Sequence, residues 1–178
     1  MTTLQTDRLK LREVELADAP FMLELINQPA WKAFITQHDV RSEQQAADYI
    51  DTRIRSMYRT HGHGLWLVES KASARSLGLC GLLRREGLAD IDLGFAFLPT
   101  TWGNGFAREA SIACLQHAFD TLKVERVAAI TVPENTRSIR ALIALGFAYV
   151  SPYSLADSQD VLDLYSLDAD SFNLHIHR

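Results

Sequence analysis

Cysteine is scarce in this 178-residue chain: Cys80 and Cys114 are the only two, and they form no CxxC pair. A disulfide framework and a cysteine zinc site are therefore excluded, and both thiols read as buried. A basic block is missing as well. The 18 lysines and arginines are scattered among 22 acidic residues, giving a formal net charge of -4, which argues against a dedicated nucleic-acid binder. No apolar run has the length of a membrane span, and the opening MTTLQTDRLKLREVEL has no hydrophobic signal core, so a cytoplasmic protein with no membrane partner is expected. His61 with His63 and His175 with His177 have no carboxylate or cysteine at ligand spacing, so no metal is expected. Repeats, low-complexity tracts and linkers are also absent. The composition is ordinary for a globular chain, 47% hydrophobic and 22% charged, which predicts one domain over 1–178.

The chain does carry clear periodicities. Leu9, Leu11 and Val14 mark a first strand, and Phe21, Met22, Leu25 and Ile26 then fall at helical spacing. A second helix is predicted from Ser42 to about Arg59, opened by a Ser42/Gln45 capping box, with Ala46, Ile50, Ile54 and Met57 on one face and His61-Gly62 at its end. Between these helices, PAWKAFITQHDVR, with Trp31 and Phe34, reads as loop or broken helix lining a cleft. Strands follow at Gly64–Ser70, Leu77–Glu86 and Ala89–Leu98, joined by short links that imply antiparallel pairing. A helix from about Gly105 to Leu122, a strand at Val127–Val132 and a helix from about Asn135 to Leu145, stopped by Gly146, come next. Strands at Phe147–Tyr153 and Val161–Ser166 close an α/β or α+β unit, and DADSFNLHIHR reads as a tail or edge element.

The most informative stretch is Ala89–Ala110, ADIDLGFAFLPTTWGNGFAREA, where a strand runs into a glycine turn that opens a helix. Gly103 and Gly105 let backbone pass close to a ligand, and the unpaired amides at the helix start suit a phosphate or pyrophosphate. A nucleoside-triphosphate loop is excluded because Phe106-Ala107 follows Gly105 where Lys-Ser/Thr is required. A dinucleotide fingerprint is excluded because Arg108 occupies the third glycine position and the preceding strands form an antiparallel meander.

Trp102-Gly103-Asn104-Gly105-Phe106-Ala107 resembles the Q/R-x-x-G-x-G/A loop of the GNAT superfamily of N-acetyltransferases, with Trp102 in place of the usual first residue. LGFAFLPTTWGNGFAREA, the entry LQTDRLKLREVELADAPFMLELIN and PENTRSIRALIALGF are similar, in order, to the RimJ/RimL-like branch, over roughly Leu4 to Phe147. The resemblance implies a GNAT-like mixed, mainly antiparallel sheet with helices on both faces and a V-shaped splay between the fourth and fifth of these strands. It also implies acetyl-CoA as cosubstrate, with its pyrophosphate on Trp102, Gly103, Asn104, Gly105, Phe106, Ala107 and Arg108. The pantetheine arm would lie along Phe95, Ala96, Phe97 and Leu98, with a bulge in that strand and amides near Phe97 polarising the acetyl carbonyl.

The resemblance further implies Asp92 as base or amine-orienting group, with Asp90 the runner-up on the same face by period two. The superfamily tyrosine seven residues after the helix asparagine is Leu142 here. The RimJ/RimL-like resemblance instead implies Ser138 as hydrogen-bond donor to the sulfur and Asn135 as holder of the pantetheine arm. The expected reaction is acetyl transfer to a primary amine, either a protein N-terminal α-amine or a small amine. The branch includes homodimers. The other reading is a noncatalytic acyl-CoA sensor. Glu109 reads as helix-dipole compensation, and Asn135 doubles as an ordinary helix cap.

Overall fold

The computed structural model describes residues 2–35, 39–154 and 161–176. His38 and His177 lie outside the described residues, as does the side chain of His175. The chain begins with β1 (Leu4–Gln5), β2 (Leu9–Glu13), α1 (Ala19–Ile26), α2 (Pro29–Phe34), α3 (Glu43–Tyr49) and α4 (Ser56–His61). It continues through β3 (Leu65–Ser70), β4 (Ser76–Leu83), β5 (Asp92–Phe97), α5 (Phe106–Gln116) and β6 (Arg126–Thr131). α6 (Thr136–Ala144), β7 (Ala148–Tyr153), β8 (Leu162–Asp168) and α7 (Ala169–Ile176) complete it.

The strands form one eight-stranded sheet in the order β1-β2-β3-β4-β5-β6-β8-β7. Every neighbouring pair is antiparallel except β5 with β6, which is parallel. This is the mixed, mainly antiparallel α/β architecture that the sequence predicts. Strand alternation sorts side chains into two layers. Trp66, Val68, Cys80, Leu82, Leu93 and Phe97 face one side and pack with Ala110, Cys114, Leu115 and Ala118 of α5. Leu67, Leu79 and Leu98 face the other side, against Met22, Leu25, Ile26, Trp31, Ala46, Ile50 and Ile54. Helices thus cover both faces. The small side chains of α5 let it approach β4 closely, with Cys114 Sγ and Ser111 Oγ each 3.6 Å from Cys80 Sγ. Burial pushes the Cys114 thiol well up, so it stays protonated and acts as packing.

Ser42 caps α3 by accepting from the Gln45 amide at 3.2 Å, while Gln45 Oε1 accepts from the Arg41 amide one residue earlier than a reciprocal box requires. The long predicted helix then widens into a π-helical segment at Ile50–Arg55 before α4 resumes. Thr52 and Ser56 hydroxyls there donate back to the Asp48 and Thr52 carbonyls at 2.7 Å, a competition that loosens an α-ladder. The C-terminal segment is no loose tail. Asp168 accepts from the Ser171 amide at 2.8 Å to open α7, and Phe172 is buried 5.2 Å from Phe119.

Two expectations about the central strand are corrected. The anticipated bulge near Phe95–Leu98 does not occur, because β5 pairs with β4 in unbroken register from Leu83 opposite Asp92 to Gly78 opposite Phe97. Asp90 lies before the strand rather than on its face, and it pairs with Arg126 at 3.3 Å. The splay needs no bulge. β5 and β6 share a single paired position, Asp92 opposite Ala128, after which β6 follows β8 along its length. Gly94, Phe95 and Ala96 are left partly exposed beside the buried strand β4.

Candidate functional site

The splay and the glycine turn meet at the carboxyl end of β5. Leu98 donates its amide to Leu77 at 3.0 Å, so even positions of β5 bond β4. Odd positions therefore face β6, in agreement with the Ala128 amide donating to the Ile91 carbonyl at 2.8 Å. The Phe95 peptide groups and the Phe97 amide consequently point into the slot. The Phe97 carbonyl is taken by the Trp102 indole N–H at 2.9 Å, which ties the turn back to the strand. Ala96 and Leu98 bond toward β4, and their side chains belong to the α1–α4 layer.

Gly103 and Gly105 hold φ of +80° and +77°. A Cβ on Gly103 would meet nothing within 4 Å, and one on Gly105 would lie 3.4 Å from Arg8 Nη2. Gly105 caps α5 without a side-chain bond, and the first amide drawn into the helix is that of Glu109, bonded to the Gly105 carbonyl at 3.0 Å. The amides of Phe106, Ala107 and Arg108 are thus the free first-turn donors of α5. Asn104 braces the turn from inside, its Nδ2 donating to the Thr101 and Trp102 carbonyls at 3.1 and 3.2 Å. This is an open, rigid cradle of the kind an anionic diphosphate fills.

Arg8, which sequence reasoning passed over, holds the cradle from outside. Its Nη1 donates to the Asn104 carbonyl at 2.9 Å and its Nε to Glu109 at 2.6 Å, with Phe106 stacked 4.8 Å from the guanidinium. Burial pushes the Glu109 carboxyl up, but hydrogen bonds from Thr6 and Arg8 outweigh it and leave the group below the usual range. Glu109 is therefore structural, through Arg8 more than through the helix dipole. Arg108 lines a groove of about 540 Å³ between α5 and the Gln5–Arg8 turn.

Across the slot, Asn135 caps α6, its Oδ1 accepting from the Ser138 amide at 3.2 Å. Ser138 lies in that first turn and is half-buried, while Leu142 faces inward, 2% exposed. Between them Arg137 reaches over and stacks on Trp102, 3.7 Å from the ring centroid. Its only sequence signal was its position between the two flagged residues.

Asp92 stands at the apex of the splay, 1% exposed. Both carboxylate oxygens accept from Arg85 Nε, at 3.1 and 3.0 Å. Burial pushes its carboxyl up, against the opposing charge and hydrogen bond of Arg85. Nothing in the sequence pattern marked Arg85, because only the folded β4–β5 hairpin brings it to Asp92. His63 Nδ1 lies 3.0 Å from the Leu82 carbonyl and its ring stacks on His61 at 6.0 Å, far in kind from a metal pair. Among the described residues no group of three metal-binding side chains comes together, and no helix is long and apolar enough to cross a membrane.

A glycine cradle at a helix start beside a splayed central strand is the layout of the GNAT acetyltransferase fold. The sequence matches the family described as acetyltransferase (GNAT) domain over residues 8–148, and the chain belongs to that family, which uses acetyl-CoA. It is 31% identical over 150 residues to an uncharacterized N-acetyltransferase, p20, of Bacillus licheniformis, covering 83% of each chain. It is 30% identical over 151 residues to the uncharacterized protein YkkB of Bacillus subtilis, covering 83% of this chain and 86% of that one. Among solved structures, an acetyltransferase from Agrobacterium tumefaciens shares the fold with a TM-score of 0.80 at 21% identity, covering 94% of both chains. A ribosomal-protein-S5-alanine acetyltransferase from Vibrio fischeri shares it with a TM-score of 0.73 at 16% identity, covering 97% of this chain and 99% of that one.

Proposed function

We propose that this protein is an acetyl-CoA-dependent N-acetyltransferase of the RimJ/RimL-like branch, transferring acetyl to a primary amine by direct attack. The observation that carries the reading is the alignment of an open cradle at Gly103–Arg108 with an unpaired strand edge at Phe95–Phe97. The cradle amides receive the pyrophosphate, with Trp102 and Asn104 fixing the turn. The Phe97 amide and the Phe95 carbonyl pair with the pantetheine amides, as a neighbouring strand would. The Phe95 amide, farther from the cradle, donates to the carbonyl oxygen on which negative charge develops. Asn135 and Ser138 flank the arm from α6, and Ser138 donates to the sulfur.

In the transfer itself the amine nitrogen bonds the acetyl carbon, the carbon–sulfur bond breaks, and the amine proton passes to solvent. Holding both reactants in one slot supplies much of the rate. The pairing of Asp92 with Arg85 supports an orienting role for Asp92 more than that of a direct base. The same pairing, with leucine at position 142, favours a second reading, a noncatalytic acyl-CoA sensor. Incubation with acetyl-CoA and a pool of peptides and small amines, read by mass spectrometry, tests both. Free CoA and acetylated amine are expected, with a lower kcat for Ser138→Ala at unchanged CoA affinity. Binding without any acetylated product selects the sensor, and failure to bind acetyl-CoA sinks both readings.

A further inference from the structure

The acceptor side of the slot contains an arrangement that the transfer chemistry leaves unused. Asp92 is an even-numbered β5 residue, on the face turned to the α1–α4 layer. It holds Arg85 through Nε alone, and Arg85 Nη1 and Nη2 make no hydrogen bond or ion pair among the described residues. The Arg85 side chain is 37% exposed, so this fork is presented to solvent with its orientation fixed from below. Arg53, exposed on the π-helical segment, likewise makes no ion pair among the described residues. Burial raises the pKa of the half-buried Tyr49 hydroxyl, and the charges of Arg53 and Arg85 oppose that rise.

A planar fork with free terminal nitrogens is the geometry that receives a carboxylate in two parallel hydrogen bonds. Its distance from the reacting centre decides what carries that carboxylate. Asp92 lies three residues before Phe95, or roughly 10 Å along the strand. An extended peptide covers about 3.3–3.6 Å per residue, so the gap corresponds to two to four residues of acceptor. A free α-amino acid, with its carboxylate two bonds from the amine, cannot span it.

Resting on the acetyltransferase reading, we infer that Arg85, positioned by Asp92, selects peptide N-termini bearing an acidic side chain at the second to fourth residue. Asp92 is then a positioning residue for acceptor recognition.

The test is acetylation of a randomised N-terminal peptide pool by the full-length protein with acetyl-CoA, the products sequenced by mass spectrometry, followed by kinetics on matched Glu and Gln peptides. Wild type is expected to enrich Asp and Glu at positions two to four. Arg85→Gln should raise KM for the Glu peptide about tenfold, the loss of one charge-assisted pair, with kcat largely kept. Arg85→Lys should recover part of that loss, and Arg85→Glu should turn the preference toward Lys and Arg. Asp92→Asn should raise KM for the Glu peptide relative to the Gln peptide, as Arg85→Gln does. Acetylation of peptides with no acidic preference, a preference that survives Arg85→Glu, or turnover of small amines alone overturns the inference and leaves the acetyltransferase reading standing. A wild type that binds acetyl-CoA and acetylates nothing overturns both.

Discussion

Gly103 and Gly62 form a natural matched pair for testing the cradle. Both adopt left-handed backbone, φ +80° and +74°, and a Cβ on either would meet nothing within 4 Å. Alanine at either position therefore costs backbone strain alone, about 1–2 kcal/mol. For a chain of this length each kcal/mol lowers Tm by about 2–4 °C, so both variants should melt about 2–8 °C below wild type. Their consequences for ligand binding should diverge. Gly62 ends α4, remote from the turn in sequence and role, whereas a methyl on Gly103 stands in the space where a diphosphate must approach the amides. Calorimetric titration with CoA should show at least a tenfold loss for Gly103→Ala, about 1.4 kcal/mol, and no change for Gly62→Ala. Equal melting losses with equal, wild-type CoA affinity would refute the assignment of this turn as the phosphate site. A CoA loss shared by both variants would mean that affinity tracks general stability and not the cradle.

Arg137→Ala should weaken CoA binding about three- to thirtyfold, because it removes both the stack on Trp102 and a cation at the slot mouth; Trp102 fluorescence quenching by CoA reads this directly, and unchanged affinity counts against any contact with the cosubstrate. Burial, and then the charge of His63, hold His117 below the ordinary imidazole range. The unfolded ring binds its proton more tightly than the folded one. The contribution of His117 to stability is therefore intact above about pH 6.5 and is lost as pH falls through its folded value. Urea midpoints should drop between about pH 7 and 5, and His117→Gln should flatten that slope; a slope identical to wild type rules the group out.

Most of the fold was legible because its signals are local. The alternation of β3, the Ser42 cap, the φ-permissive Gly103 and Gly105 and the stop at Gly146 all act within a few residues. The misreadings share a different cause. β1 has two residues, too few for a periodic signal, and its identity comes only from pairing with β2. Asp168 and Ser171 open α7, but the stretch around them is too polar in sequence to suggest that Phe172 reaches the core beside Phe119. The π-helical widening at Ile50–Arg55 preserves the apolar face of Ile50 and Ile54, so periodicity passes through it unbroken. On the site, the backbone cradle was readable since glycine spacing encodes it. Arg8, Arg85 and Arg137 were not, because each works on a partner that only the tertiary fold supplies: the Asn104 carbonyl, Asp92 and Trp102.

The two positions where a transferase of this family would keep proton-transfer groups are both committed to other tasks here. Leu142 carries no proton and packs in the core with Leu145 and Phe147. Asp92 is buried with both oxygens occupied by Arg85. On the proposed reading, catalysis rests on backbone amides, the Ser138 hydroxyl and proximity, none of which titrates near neutral pH. The pH dependence of kcat/KM should accordingly belong to the acceptor, rising with the deprotonated fraction of its amine. With a peptide α-amine the inflection should lie near about pH 8, and with a lysine-type ε-amine of the same length it should move up by about two units. A profile whose inflection stays fixed when the acceptor changes would assign a titrating base to the enzyme. If Asp92→Asn then erased that inflection, Asp92 would be the base and Arg85 its partner in catalysis.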